Sequence, residues 1–297
     1  MMSEQQKGMI YAALSYMIWG VLPLYWKLID TINPYEILAH RIIWSLAFMI
    51  FLIIVLRKTT EFTVQTKRLF KEPKQTLSLF TAALVIAINW GLFIWAVSNG
   101  HVMQASLGYY INPLMSILLG LFFMKERYSN VEWIAIALAA AGVLFMTFSL
   151  GVFPYISVML AASFAVYGLL KKNIRIDAMY TILLECLFTL PFALIGIIYL
   201  RSANMSHFGL NQDSFTLLFS GALTAIPLIL FTAGARRIPL SLIGFLQYIG
   251  PTLMLLQSVF LFNEAFTLTH LVTFSLIWAG LLLYSSSKII AYRRRTR

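Results

Sequence analysis

Three ionisable side chains, His40, Arg41 and Glu185, lie within long apolar stretches of the sequence. Arg41 follows Pro34 by seven residues, roughly 10 Å along a helix that rises 1.5 Å per residue. A charge at that depth in a membrane costs a few kcal/mol unless it faces protein or water. The pattern predicts that His40 and Arg41 line a cavity or join a buried polar network. Snorkelling of Arg41 to the outer headgroups is the alternative.

Glu185 is the second intramembrane acid candidate beside Glu36. A low-dielectric environment favours the neutral acid, so Glu185 could exchange a proton at working pH; a structural hydrogen bond to a neighbouring helix is the alternative. With Asp177 as a helix N-cap, Glu185 lies as deep from one face as Arg41 does from the other. In a core about 30 Å thick their depths would differ by roughly 10 Å, so the sequence does not predict a direct salt bridge.

Glu36 follows a helix-start pattern, with Asn33 as N-cap and Pro34 at the first helical position. It is therefore either a helix-capping residue or a cavity residue.

A further set of polar and aromatic residues is too large or too polar for simple helix packing. The stretch 104–126 holds Gln104, Tyr109 and Asn112, whereas Ser116 and Gly120 suit close packing. The remaining candidates for a cavity lining are Trp19, Asn89, Trp90, Tyr167, Gln247 and Tyr248. Interhelical hydrogen bonding is the alternative for Asn89, and a position at the membrane interface is the alternative for the tryptophans.

The elements that position these residues are membrane spans. The chain is 60% hydrophobic and 11% charged, with a mean hydropathy of +0.83, whereas soluble domains carry about 25% charged residues. A span needs about 20 apolar residues, and no cleavable signal peptide is evident. The sequence predicts ten spans, at about 8–28, 34–56, 77–97, 102–124, 131–149, 153–170, 178–200, 215–235, 239–262 and 266–287.

The basic residues indicate the orientation of the spans. Of the 22 lysines and arginines, 19 fall on the side that holds both termini and two on the other, and Arg41 lies within a span. The positive-inside rule therefore predicts cytoplasmic termini. The net charge of +11 reflects this topology and does not indicate nucleic-acid binding.

An internal repeat relates the two halves of the chain. A shift of 138 positions carries Tyr110 onto Tyr248, Pro113 onto Pro251 and Glu126 onto Glu264, and a shift of 148 relates spans 1 and 6. Each unit, 1–150 and 151–297, then holds five spans, so the second enters the membrane inverted. Such repeats are typical of secondary transporters that work by alternating access.

The sequence resembles the drug/metabolite transporter superfamily, and within it the EamA-type family called RarD. The likeness lies in L-A-H-R-I-I-W-S at 38–45, L-G-Y-Y-I-N-P at 107–113 and A-R-R-I-P-L-S-L-I-G-F-L-Q-Y-I-G-P-T at 235–252. It implies a ten-helix transporter of the inner or plasma membrane, with a cavity lined by spans 1–4 and 6–9. Spans 5 and 10 would be peripheral, where a homodimer could form.

No metal-ligand spacing, P-loop or G-x-S-x-G motif occurs in the sequence, and we expect no cofactor and no metal. The leading hypothesis is a secondary transporter, not an enzyme, that exports a small amphipathic organic solute, with Glu185 as the candidate for proton coupling. The alternatives are a membrane-embedded enzyme that uses His40 and Glu185, and a membrane sensor or regulatory partner.

Overall fold

The computed structural model describes residues 2–29, 31–99, 101–151, 154–209, 211–261 and 266–295. In these ranges ten helical segments are long and apolar enough to cross a membrane, which confirms the predicted all-α polytopic fold. The helices are α1 (Glu4–Trp26), α2 (Pro34–Val55), α3 (Thr59–Phe70), α4 (Pro73–Ser98), α5 (Val102–Met124), α6 (Asn130–Leu150), α7 (Tyr155–Lys172), α8 (Ala178–Ser202), α9 (Gln212–Ala235), α10 (Leu240–Gln247), α11 (Ile249–Phe260) and α12 (Leu268–Arg295).

Helices α2 and α8 begin with the same local structure. The side chain of Asn33 accepts a hydrogen bond from the backbone N–H of Tyr35, and that of Asp177 accepts one from Met179, each at 2.9 Å. Each cap satisfies a backbone donor that the first helical turn leaves unpaired. Counted from these caps, Arg41 and Glu185 occupy equivalent positions in their helices.

The structure departs from the predicted spans in two places. Helix α3 lies in what the hydropathy pattern left as a loop, because it is short and polar; its Gln65 accepts a hydrogen bond from the backbone N–H of Asp177 at 2.8 Å. The ninth span is two helices, α10 and α11, which meet at Tyr248. Pro251 has no N–H to donate to the carbonyl of Gln247, which weakens the helix at this point.

Several contacts between helices have an equivalent contact in which each helix is replaced by its counterpart from the other half of the chain. Helix α1 packs on α9 as α4 packs on α7, and α1 packs on α10 and α11 as α5 packs on α7. The contacts between α6 and α12, α5 and α10, and α2 and α8 each join equivalent helices of the two halves. This pattern is the one expected if a two-fold relation joins the halves.

Two glycines show the same reciprocity in atomic detail. A Cβ built on Gly142 of α6 would lie 2.9 Å from the carbonyl oxygen of Thr273, and one built on Gly280 of α12 would lie 2.7 Å from that of Ala135. Both the glycines and their contact residues are 138 positions apart. The two backbones therefore cross where only glycine fits, as at the small-residue contacts of other membrane helices.

Outward from this contact, α6 and α12 expose large apolar side chains, among them Phe148 (78% exposed) and Leu282 (69%). Such a surface suits lipid, and the homodimer through these two helices stays a prediction. Glu264, the repeat counterpart of Glu126, lies outside the described residues. Glu126 itself accepts hydrogen bonds from the backbone N–H groups of Leu240 and Ser241 at the start of α10.

We expect Gly280→Ala to lower the stability of the folded protein, because the new methyl group would overlap the backbone of α6. Overpacking of this kind costs about 1–3 kcal/mol, which a lower melting temperature of the purified protein in detergent would report. Gly196→Ala in α8 is the matched control, since nothing lies within 4 Å of its added Cβ. Equal melting temperatures for the two variants would contradict the close crossing.

Candidate functional site

A narrow cavity lies in the membrane interior between α2, α4, α8 and α9, with room for little more than an ordered water molecule. The resemblance implies a lining from eight spans, and this cavity uses four of them. Two lining pairs, Ile86 with Thr224 and Trp90 with Leu228, are 138 positions apart, so both halves contribute equivalently. The full lining is Ile42, Ser45, Ile86, Ala87, Trp90, Ile182, Glu185, Cys186, Thr189, Thr224 and Leu228.

Glu185 forms a buried ion pair at one side of this cavity. Lys171, from the last turn of α7, donates to one carboxylate oxygen of Glu185 and to the hydroxyl of Thr181, the latter at 2.8 Å. Tyr167 donates to the other carboxylate oxygen at 3.0 Å. The Lys171 side chain is wholly buried and that of Glu185 is 6% exposed. Glu185, the predicted intramembrane acid, is thus paired with Lys171, which the sequence interpretation had placed in a cytoplasmic segment.

Arg236, directly after α9, is a second cation near this pair. It donates to the backbone carbonyl of Ile176, while its Nε and Nη2 atoms are buried without a hydrogen-bond partner. Burial lowers the pKa of Arg236 to about 10, so the guanidinium stays charged at neutral pH. Two cations, Lys171 and Arg236, and two acids, Glu185 and Asp177, therefore lie in this region.

Arg41 approaches the cavity from the other side. Its Nε donates to the hydroxyl of Thr224 at 3.0 Å, and its guanidinium carbon lies 4.9 Å from the Trp26 ring centre and 4.7 Å from that of Trp90. Thr224 is near the middle of α9, whereas Trp26 is the last residue of α1, so the guanidinium lies between a helix end and a helix centre. Among the ion pairs of the described residues, none joins Arg41 to Glu185.

Glu36 and His40 contact the loop between α8 and α9. The carboxylate of Glu36 accepts hydrogen bonds from the hydroxyl of Ser206 and from the backbone N–H groups of His207 (2.8 Å) and Phe208 (3.2 Å). The His40 ring stacks on Phe208 at 4.3 Å between centroids, and both its nitrogens are buried without a partner. Glu36 therefore binds this loop, which neither the helix-cap nor the cavity interpretation predicted.

These contacts also separate His40 from Glu185. Phe208 follows the far end of α8, whereas Glu185 lies eight residues from its N-cap. His40 of α2 therefore lies near the C-terminal end of α8, whereas Glu185 lies near the N-terminal end of α8. A membrane-embedded enzyme would need these two groups together.

Two of the candidate polar residues hold helices together. Asn89 of α4 donates to the carbonyl of Leu160 at 2.9 Å and to the hydroxyl of Ser163 at 2.8 Å. Gln104 of α5 accepts a hydrogen bond from the backbone N–H of Ile156 at 3.2 Å. Both bind α7, and neither is among the lining residues of the cavity. Asn89 thereby makes the interhelical contact given as its alternative, whereas the sequence analysis had favoured a cavity role for Gln104.

The aromatic candidates form packed clusters. Trp19 and Tyr167, which the 148-residue shift relates, both lie 5.8 Å from the ring of Phe231. Tyr248 donates to the backbone carbonyl of Tyr110 at 3.4 Å, across the contact between α10 and α5. These rings fill the bundle beside the cavity.

Three candidates remain. Tyr109 is 37% exposed, packs edge-on against Phe93, and lies close enough to Arg41 for an electrostatic interaction. Asn112 and Gln247 are buried, and the side-chain oxygen of each has no hydrogen-bond partner. Of the whole predicted set, Trp90 and Glu185 line the cavity and Arg41 contacts two of its lining residues. Thr224 and Lys171 were missed, because neither carries a local signal of its role.

Comparison with known proteins agrees with a transporter fold. The EamA-like transporter family matches residues 6–148. A solved crystal structure of a protein superposes with a TM-score of 0.72 at 17% identity, over 93% of this chain and 96% of that one; at this identity the likeness shows the fold.

The sequence relatives are full-length. The uncharacterized transporter YojE of Bacillus subtilis is 43% identical over 97% of this chain and 96% of its own length. The protein RarD of Salmonella typhi is 43% identical over 98% and 99%, and that of Escherichia coli is 41% identical over 99% of both. The chain therefore belongs to the EamA-like transporter family, as a multi-pass membrane protein of the RarD type.

We expect Lys171→Met to destabilise the protein by about 3–5 kcal/mol, since it leaves the charge of Glu185 buried without a partner. The double variant Lys171→Met/Glu185→Gln should recover much of this loss, because both charges are gone. Thermal unfolding in detergent measures both, with the exposed Lys67→Met as the control. A double variant no more stable than the worse single variant would show that the two side chains act independently.

Proposed function

We propose that this protein is a secondary active transporter, not an enzyme, that exports a small organic solute across the cytoplasmic membrane by alternating access. The observation that carries the proposal is the placement of Arg41 and Glu185 on opposite sides of one cavity, each contributed by a different half of the chain. Ionisable groups inside a membrane mark solute or proton pathways. The relatives named transporters support the class.

The two units, 1–150 and 151–297, form an inverted repeat in this proposal, and the equivalent helix contacts in the two halves support it. The distribution of lysine and arginine supports a cytoplasmic position for both termini. In this orientation the loop that Glu36 binds is outside, and the Lys171–Glu185 pair lies towards the cytoplasm.

The ion pair also supplies a coupling step. A proton bound by Glu185 would remove the charge that holds Lys171, and thereby weaken the contact between α7 and α8. This contact lies on the predicted cytoplasmic side of the cavity. Protonation of Glu185 would therefore favour opening of the cavity to the cytoplasm, and its deprotonation would favour closure.

Flux through proteoliposomes tests transport itself. We expect the reconstituted protein to move at least one of a panel of labelled small acids, amides, amines and amino acids faster than empty liposomes do. Folded protein that moves none of them, with its melting temperature unchanged by reconstitution, would count against the proposal.

Glu185→Gln tests the coupling. We expect this variant to lose accumulation driven by a pH gradient while it keeps exchange of solute at equal pH, because only the driven mode needs a proton on residue 185. Glu61→Gln in the exposed helix α3 is the control and should accumulate solute as the parent does. If Glu185→Gln accumulates solute with an unchanged pH dependence, the proton is carried elsewhere.

A further inference from the structure

The guanidinium of Arg41 has no anionic partner among the described residues. Within the part of the chain that the structure describes, no carboxylate lies within 4 Å of it. A guanidinium has five N–H donors, and a single hydrogen bond, from Nε to Thr224, uses one of them. The two terminal nitrogens are left to a ligand or to water.

The surroundings of Arg41 fix the orientation of its guanidinium. The rings of Trp26 and Trp90 lie within 5 Å of the guanidinium carbon, close enough for cation–π attraction. Thr224 fixes the Nε edge. An arginine held in this way is suited to bind a planar oxyanion through two parallel hydrogen bonds.

The charge of the neighbouring groups favours the same ligand. Around the cavity, Arg41 and Lys171 are positive and Glu185 is negative. Arg236 and Asp177, near the Lys171–Glu185 pair, add one charge of each sign, so the net charge is +1 before any solute enters. In a low-dielectric site an unbalanced charge is costly, and one bound monoanion would balance it. Trp90, Ile42 and Leu228 offer apolar contacts beside it.

We infer that the transported solute is a small organic monocarboxylate, which binds through its carboxylate to Arg41 and, in a conformation with a wider cavity than this one, through its apolar part to the cavity wall. This inference rests on the proposed transport function and names its substrate class. Arg41 is the specificity-determining residue, and the tryptophan rings hold its guanidinium in place.

Matched solutes test the inference by binding, without flux. The probes are propionate, hexanoate and phenylacetate, each with the amide and the amine of the same carbon skeleton. We expect at least one acid to raise the melting temperature of the purified protein more than its amide and its amine do, since a ligand of the folded state stabilises it. If no acid stabilises the protein more than its amide, or if the amines stabilise it best, the inference is overturned without any variant.

Variants then locate the effect. We expect Arg41→Gln to weaken binding of the acid roughly tenfold or more, the size expected for a lost charge-assisted pair, and to leave amide binding unchanged. Arg41→Lys, which keeps the charge but lacks the planar fork, should be intermediate and serves if Arg41→Gln does not fold. Arg201→Gln, an exposed residue after the apolar part of α8, is the control and should keep the preference for the acid. A preference that persists in both Arg41 variants would place the anion site elsewhere.

The two proposals fail separately. If the protein binds acids through Arg41 but shows no flux, the anion site is supported and the transport function is contradicted. If it transports only amines or neutral solutes, the transport function is supported and the anion site is contradicted.

Discussion

Glu185 cannot remain charged among packed helices without Lys171, and this ion pair ties the end of α7 to the start of α8. A buried pair of this kind adds little net stability compared with apolar side chains, yet the loss of one partner is expensive. The contact between Lys171 and Glu185 is therefore strong while Glu185 is ionised and weaker when Glu185 is neutral. Tyr167 and Thr181 share the same network, so a change of charge at Glu185 reaches both helices together.

The two halves place opposite charges at equivalent points. Asn33 and Asp177 start α2 and α8 with the same hydrogen bond, and the eighth residue after each cap is Arg41 or Glu185. The acid has a cation of its own chain, whereas the arginine has none among the described residues. A repeated fold thus carries an asymmetric site, in which one half holds a closed ion pair and the other half an open guanidinium.

The sequence interpretation succeeded where the signal was local or periodic. Hydropathy predicted the spans, and the caps Asn33 and Asp177 predicted the depth of Arg41 and Glu185. It failed where the partner was distant in sequence. Lys171 sits at the end of an apolar stretch, and hydropathy cannot show whether such a lysine turns to water or back into the bundle.

The same limit explains the other differences from the structure. Glu36 has the position of a capping acid, but its oxygens bind a loop 170 residues later in the chain. Asn89 and Gln104 have the polarity of cavity residues, but backbone groups of α7 lie within reach and satisfy them. Polarity inside a membrane shows that a side chain needs a partner; packing decides whether that partner is a helix or a solute.

The contacts around the cavity divide into those that can open and those that cannot. Helices α2 and α9 meet backbone to backbone, since a Cβ on Gly221 would lie 2.2 Å from the carbonyl carbon of Trp44, and Ser45 donates to the Gly221 carbonyl at 3.1 Å. Such contacts have no charge to lose. At the far end of α8, three hydrogen bonds to Glu36 hold the α8–α9 loop. The contact at the start of α8, by contrast, rests on the charge of one buried carboxylate, Glu185 beside Lys171. The packing of α7 against α8 is therefore the contact beside the cavity that a single proton would weaken, whereas the contact between α2 and α9 would persist.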